Sequence, residues 1–155
     1  SEYDVNTPLA KSTDEINKFQ IQHLLDTVEK NVKPGDKVGI LGLSFKPNTP
    51  VIEESPGIFL IKELLKNNTN ITVYDAIATE TVQAELGSSV DYSTTMQECV
   101  EKSDLVVITT MEPEFKNISV PKNKQITLID CWRQLSCNDF PSNVKYHGVG
   151  LFNEI

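Results

Sequence analysis

The sequence has little of what marks membrane, nucleic-acid-binding or metal-binding proteins. No apolar run approaches the ~20 residues that a membrane-spanning helix needs. The 14 Lys and Arg residues are outnumbered by 22 Asp and Glu residues, and the resulting net charge of -8 disfavours a nucleic-acid partner. Two histidines and the lack of a Cys-x-x-Cys pair argue against a structural metal site. An anionic ligand would therefore have to be bound by local cationic groups.

Cysteine is scarce, and its spacing gives no disulfide framework. Cys99, Cys131 and Cys137 are odd in number, which favours free thiols in a reducing compartment. None of them has a histidine placed to activate it, so we predict no catalytic residue in this chain. The first residues, 1–6, have neither the basic start nor the apolar middle of a secretory signal. We therefore expect a cytoplasmic protein.

Short apolar segments alternate with helical patterns along most of the chain. Strands are predicted at 37–41, 71–74, 104–109, 126–130 and, as an edge strand, 144–149. Helices are predicted at 56–67, 79–86 and 92–101, and the last of these has Ser93 or Thr94 as its cap. This alternation predicts an α/β fold, a doubly wound, Rossmann-like parallel sheet.

A further helix is predicted ahead of the first strand. It begins at Thr7-Pro8, or at a capping box of Ser12 and Glu15. Apolar residues recur along it with helical spacing, at Ile16, Phe19, Ile21, Leu24, Leu25 and Val28. Because this N-terminal helical extension stands outside the strand–helix alternation, its apolar face suggests self-association. We divide the chain into a helical segment, 1–33, and an α/β domain, 34–155.

The first strand runs into a glycine turn and then into a loop that carries one lysine. The run reads Gly39-Ile40-Leu41-Gly42-Leu43-Ser44-Phe45-Lys46-Pro47-Asn48-Thr49. Its glycines do not match Gly-x-Gly-x-x-Gly, whose close pair lets backbone touch a pyrophosphate. Phe45 is suited to pack against a ring or sugar, and Lys46 offers a compact cation to phosphate oxygens. From the residues alone, a solvated lysine on a surface loop is equally compatible.

Two later strands end in residues with a possible ligand role. Asp75 ends the second strand, where a dinucleotide-binding domain holds a ribose hydroxyl, but a turn-forming aspartate fits as well. Arg133, in Asp130-Cys131-Trp132-Arg133, follows an inner strand and could bind an anion through bidentate hydrogen bonds from its planar guanidinium. The alternative is a surface ion pair of Asp130 with Arg133 beside a core Trp132. The polar connection 109–115 either lines the same crevice or only joins two elements.

Taken in series, these segments resemble the C-terminal UDP-binding domain of the UDP-glucose/GDP-mannose dehydrogenase family. The similarity runs in order through residues 38–133, and it includes the loop 42–49, Glu54-Ser55-Pro56, Val73-Tyr74-Asp75, the run 103–109, Glu114-Phe115 and Asp130-Cys131-Trp132-Arg133. The opening helix, with Thr7-Pro8-Leu9 and Glu15-Ile16-Asn17, resembles the end of the family's long central helix, which carries a dimer contact.

The resemblance implies a role in oxidising the C6 hydroxymethyl group of a UDP-sugar to a carboxylate. In that family NAD binds an N-terminal domain, and a catalytic cysteine carries thiohemiacetal and thioester intermediates. The resemblance thus implies a UDP-glucose-type 6-dehydrogenase of polysaccharide biosynthesis, of which this chain is an inactive C-terminal part. It places Phe45, Lys46 and Arg133 at the UDP-sugar. The implied partners are the N-terminal NAD-binding domain and, through the leading helix, a second copy.

Three alternatives stay open. The chain is compatible with a stand-alone nucleotide-binding module, with a self-sufficient NAD-binding Rossmann domain, and with the corresponding domain of a UDP-N-acetylmannosamine dehydrogenase. The sequence also departs from the family's pattern. Glu53 stands where the family usually has an arginine that resembles an anchor toward NAD, and Pro50 and Val51 replace two aspartates. Because a carboxylate cannot pair with a pyrophosphate, we do not expect Glu53 to make that contact.

Overall fold

The structure, a computed structural model, describes residues 7–150, and within them strands alternate with helices. The strands are β1 (Lys37–Leu41), β2 (Asn70–Tyr74), β3 (Asp91–Tyr92), β4 (Leu105–Ile108), β5 (Ile126–Asp130) and β6 (Val144–Gly148). The α-helices are α1 (Pro8–Glu29), α2 (Pro56–Lys66), α3 (Thr79–Leu86) and α4 (Met96–Lys102). Two short 3-10 helices span Pro113–Asn117 and Cys137–Asp139.

The strands form one sheet in the order β3-β2-β1-β4-β5-β6, and every pair is parallel. From β1 the chain moves outward to β2 and β3, and then crosses back to β4 on the other side of β1. This reversal confirms the doubly wound, Rossmann-like sheet, with its switch point between β1 and β4. Leu41, Ile108 and Asp130 are in register, so the loops after β1, β4 and β5 start side by side.

The central strands are buried because helices cover both faces of the sheet. All four residues of β4 are buried, as are four of the five residues of β1. Such continuous apolar strands are typical of a parallel sheet between helical layers. One core cluster joins β1 and β2 to α1, α2 and α3, and the other joins β4 and β5 to α4 and Phe115.

The start of α4 differs from the sequence prediction. The helix begins at Met96, and the Thr95 hydroxyl caps it by accepting a hydrogen bond from the Glu98 amide at 3.1 Å. The prediction of a start at residue 92 with Ser93 or Thr94 as the cap is wrong, because Asp91 and Tyr92 pair with β2 as the short strand β3. By contrast, Ser55 is confirmed as the cap of α2, accepting from the Ile58 amide.

Helix α1 packs on the domain only through its C-terminal half. Leu24, Leu25 and Val28 are buried, whereas Ile16 and Phe19 are 59% and 67% exposed. The helix starts at Pro8, so the prediction of a capping box at Ser12 and Glu15 is wrong. No helix of the described region has the length and apolar character to cross a membrane.

Gly57 lies where α2 meets the end of β1. A Cβ at this position would lie 2.7 Å from the Gly42 carbonyl oxygen and 2.9 Å from the Thr109 hydroxyl oxygen. In a solvated helix, Gly to Ala stabilises by up to about 1 kcal/mol. Here we expect Gly57→Ala to lower the free energy of unfolding by roughly 1–3 kcal/mol, because backbone must shift to admit the methyl group.

Urea unfolding measures this effect. Lys66→Ala, at the exposed end of the same helix, is the control, and its change should stay within about 0.5 kcal/mol. A Gly57→Ala chain more stable than the unsubstituted one would contradict the close approach of α2 to β1.

Candidate functional site

The candidate site lies at the carboxyl edge of the sheet, around the switch point. Lys46 is in the loop after β1, Arg133 is in the loop after β5, and the end of β4 lies between them. With neighbouring strands ~4.8 Å apart, the ends of β1 and β5 are separated by about 10 Å. The two predicted cations therefore come from the same edge of the sheet, where doubly wound folds bind their ligands.

Asp75 organises the loop that carries Lys46. Its carboxylate is 6% exposed and accepts backbone N–H bonds from Leu43 at 2.7 Å and Ser44 at 3.3 Å, both in the loop after β1. It also accepts from the amides of Ile77 at 2.8 Å and Ala78 at 2.7 Å, after β2. Asp75 is thus a turn-forming residue, and its oxygens are engaged where a ribose-binding aspartate would leave them free.

The Lys46 loop, defined as residues 43–51, is held by hydrogen bonds between its own residues. The Phe45 amide donates to the Val51 carbonyl at 2.7 Å, and the Val51 amide donates to the Thr49 hydroxyl at 3.3 Å. The Asn48 amide donates to Glu112 Oε1 at 3.2 Å, which ties this loop to the one after β4. Lys46 itself is exposed and makes no ion pair with any residue in 7–150.

Phe45 faces the leading helix. Its ring is 51% exposed and borders an open cleft of about 720 Å³, together with Asn17, Lys18 and Ile21 of α1 and with Pro56. An aromatic face is therefore available beside the loop that carries Lys46. The structure does not put Phe45 in the hydrophobic core, so its side chain is free to contact a ligand or another domain.

Asp130 plays the same part for the loop after β5, which we call the Trp132 loop (residues 131–135). Its carboxylate is fully buried and accepts from the Trp132 amide at 2.9 Å and the Leu135 amide at 3.0 Å. Trp132 is 51% exposed, and its indole N–H donates to the Thr109 carbonyl at 2.9 Å. The alternative of a surface Asp130–Arg133 pair beside a core tryptophan is therefore wrong.

Arg133 is the only arginine among the 155 residues. It is exposed, and within the described part of the chain its guanidinium pairs with no carboxylate. Its backbone has φ of 52°, in the left-handed region that side-chain-bearing residues rarely adopt. The sequence motif pointed to Arg133, but nothing in the motif indicated this backbone conformation.

Acidic side chains also reach this edge of the sheet. Burial, together with the charges of Asp75 and Glu114, raises the pKa of Glu112. Tyr74 donates its hydroxyl to Glu114 Oε2 at 3.2 Å, and burial followed by the Glu114 charge raises the pKa of that tyrosine. These carboxylates oppose an anionic ligand at this edge, whereas Lys46 and Arg133 are cations that form no ion pair within residues 7–150. The described residues contain no cluster of His, Cys, Asp and Glu that could hold a metal ion.

A profile of the UDP-glucose/GDP-mannose dehydrogenase family, UDP binding domain, matches residues 39–136. The match includes the Lys46 loop, the end of β4 and the Trp132 loop. This chain belongs to that family.

Family members that resemble this chain are known from bacteria and archaea. UDP-glucose 6-dehydrogenase TuaD of Bacillus subtilis (strain 168) is 32% identical over 92% of this chain, and UDP-glucose 6-dehydrogenase YwqF of the same strain is 36% identical over 92%. The chain spans 32% and 34% of these relatives, about a third of their length. A solved UDP-glucose dehydrogenase from the hyperthermophilic archaeon Pyrobaculum islandicum matches with a TM-score of 0.76 and 27% identity, over 89% of this chain and 31% of that one.

The residues at this edge of the sheet do not have the features of an NAD site. The glycines after β1 lack the close spacing of a dinucleotide fingerprint, and the Asp75 oxygens are held by backbone amides. Glu53 is an exposed carboxylate beside the start of α2. A pyrophosphate would meet negative charge there, so these particular residues do not fit a bound dinucleotide.

The cysteines of this domain differ in the environment of their thiols. Burial raises the pKa of Cys99 to about 12, and burial with the nearby Asp130 charge raises that of Cys131 to about 12, while Cys137 is exposed. A raised pKa leaves almost no thiolate at pH 8, and the thiolate is the reactive form. We therefore expect a disulfide reagent at pH 8 to modify one thiol per folded chain rapidly. Cys137→Ser should abolish that fast phase, and a fast phase that survives in this variant would contradict the assignment.

Proposed function

We propose that this chain is the uridine-diphosphate-binding part of an NAD-dependent UDP-glucose 6-dehydrogenase. In this proposal Lys46 and Arg133 bind the diphosphate from the two sides of the β4 end, and Phe45 contacts the ring system of the nucleotide sugar. Two similar curated proteins, TuaD and YwqF, are named UDP-glucose 6-dehydrogenases, which supports glucose as the sugar of the parent enzyme.

The observation that carries the proposal is a pair of cations, at the carboxyl edge of the sheet on the two sides of the β4 end, that form no ion pair with any residue in 7–150. Lys46 and Arg133 each sit on a loop whose backbone is fixed by a buried aspartate, Asp75 in one case and Asp130 in the other. Each aspartate bonds to backbone amides, and neither forms an ion pair with the cation on its loop. Charge-assisted hydrogen bonds from such preplaced cations are strong interactions with phosphate oxygens.

We propose that the remaining parts of the reaction lie outside these residues. An N-terminal domain of the full-length enzyme would bind NAD and supply the catalytic cysteine, and the enzyme would act in the cytoplasm in polysaccharide biosynthesis. The helical segment, 1–33, and the α/β domain, 34–155, would be the two functional units of this chain; residues 1–6 and 151–155 lie outside the described region. The exposed apolar side chains of α1, Leu9, Ile16 and Phe19, support a homodimer contact through this helix.

Calorimetry with UDP, UDP-glucose, UDP-N-acetylmannosamine and NAD, each titrated into the chain under the same conditions, tests the proposal. We expect binding of UDP and of the UDP-sugars, no heat from NAD, and no formation of NADH when UDP-glucose and NAD are mixed with the chain. Tighter binding of NAD than of UDP would instead favour a self-sufficient NAD-binding domain. Reduction of NAD by the chain alone would contradict the division of the reaction between two domains.

A further inference from the structure

The Trp132 loop is held at both ends by one carboxylate. Asp130 Oδ1 accepts the Trp132 amide at 2.9 Å, and Oδ2 accepts the Leu135 amide at 3.0 Å. The bonded amides lie on either side of Arg133. Because Asp130 ends β5 and is fully buried, the loop is fixed relative to the sheet itself.

Arg133 occupies an unfavourable backbone conformation between these two bonds. A φ of 52° for an arginine costs free energy, and such conformations persist only where the surroundings enforce them. No glycine or asparagine, which would adopt this conformation more easily, stands at the position. The two bonds to Asp130 therefore hold Arg133 in a conformation that it would rarely adopt in a free loop.

Tyr146, on the edge strand β6, contacts both Asp130 and the Trp132 loop. Its hydroxyl oxygen lies 3.2 Å from Asp130 Oδ2 and 2.9 Å from the Leu135 carbonyl oxygen. Burial, followed by the charge of Asp130, raises the pKa of Tyr146, so the hydroxyl keeps its proton at neutral pH and acts as the donor. Phe140 stacks on the tyrosine ring with centroids 6.1 Å apart, which restricts the position of that hydroxyl.

We propose that Asp130 and Tyr146 are positioning residues that fix the Trp132 loop so that Arg133 and the exposed indole face of Trp132 meet a nucleoside diphosphate sugar. Neither positioning residue contacts the ligand. Asp130 sets the conformation of the loop, and Tyr146 holds Asp130 and the Leu135 carbonyl in place. The identity of the ligand rests on the proposed function, whereas the geometry of the loop does not.

Trp132 provides a direct readout because it is the only tryptophan in the chain. Its indole N–H bond to the Thr109 carbonyl joins the Trp132 loop to the end of β4, and half of the side chain faces solvent. A change in the conformation of the loop alters the emission of this residue and its quenching by acrylamide. This signal is available without any ligand, so it separates the positioning role from nucleotide binding.

The test compares Tyr146→Phe with Tyr92→Phe. Tyr92 is a matched control because its hydroxyl also donates to a carbonyl, that of Gly87 at 2.9 Å. It lies in β3, the outermost strand at the other end of the strand order from β6. For each variant we would measure the urea midpoint, acrylamide quenching of Trp132 without ligand, and the affinity for UDP. Asp130→Asn, measured in the same way, should increase quenching and weaken UDP binding more than Tyr146→Phe does. If Asp130→Asn does not fold, the comparison of Tyr146→Phe with Tyr92→Phe tests the positioning role alone.

We expect Tyr146→Phe to quench more readily than the unsubstituted chain and to bind UDP about tenfold more weakly, because one hydrogen bond that fixes the Trp132 loop is lost. Tyr92→Phe should match the unsubstituted chain in both measurements. If the unsubstituted chain binds no UDP, the proposed function fails, and the quenching comparison still decides the positioning role. Quenching of Tyr146→Phe equal to that of the unsubstituted chain, whatever its urea midpoint, would overturn the inference.

Discussion

Replacing Arg133 by alanine is expected to weaken UDP binding about a hundredfold or more. Arg133 can donate two parallel N–H bonds to phosphate oxygens, and hydrogen bonds to charged groups contribute about 1.5–3 kcal/mol each. No other arginine in the chain can substitute for it. Because the side chain is exposed and unpaired among residues 7–150, its removal leaves no carboxylate without a partner, and the folded state should be unaffected.

Calorimetry with UDP measures the effect of this substitution, and two further variants interpret it. Arg133→Lys keeps the charge but loses the planar fork, so its affinity should be intermediate. Lys145→Ala removes a cation whose Nζ bonds Asn31, away from the carboxyl edge of the sheet, and should leave UDP affinity unchanged. Equal losses in Arg133→Ala and Lys145→Ala would show that only the net charge of the chain matters.

Asp75→Asn is expected to lower the free energy of unfolding by about 3 kcal/mol or more. The carboxylate accepts four backbone N–H bonds, two from the Lys46 loop and two from the residues after β2. An amide of the same shape must turn its NH₂ group toward some of these donors, which leaves buried N–H groups without an acceptor. The loss should exceed that of an ordinary surface substitution several-fold.

Chemical unfolding with urea measures this loss. Asp91→Asn, in the exposed residue that begins β3, is the matched control, and its change should stay within about 0.5 kcal/mol. If the account of the loop is correct, Asp75→Asn also weakens UDP binding, because Lys46 is no longer held in place. Unchanged stability in Asp75→Asn would contradict the role of this carboxylate, and it would reopen its assignment as a ribose-binding residue.

The sequence predicted the central strands and the common edge of the two cations. Strands β1 and β5 and helix α3 have the predicted bounds, because each is a short apolar or amphipathic segment between clear turn residues. In a parallel sheet every strand ends at the same edge, so predicting the strands was enough to bring Lys46 and Arg133 to one side. No side-chain contact was needed for that inference.

The residues that hold the site together were harder to predict from the sequence. Asp75 bonds amides of Leu43 and Ser44, 32 and 31 positions away, and a backbone partner leaves no mark in a sequence. Tyr146 belongs to an edge strand and to no motif, and the strand register places it beside Leu128, so only its hydroxyl contact reveals that it reaches Asp130. The short strand β3 was not predicted because its two residues, Asp91 and Tyr92, show no apolar pattern.

A crystal structure of this chain with UDP tests the central claim most directly. The account predicts that phosphate oxygens lie within hydrogen-bond distance of both Lys46 Nζ and the Arg133 guanidinium, above the end of β4. A polar cleft at the opposite edge of the sheet is also bordered by two cations, Lys33 and Lys145. A diphosphate bound in that cleft, or held by only one of Lys46 and Arg133, would contradict the account.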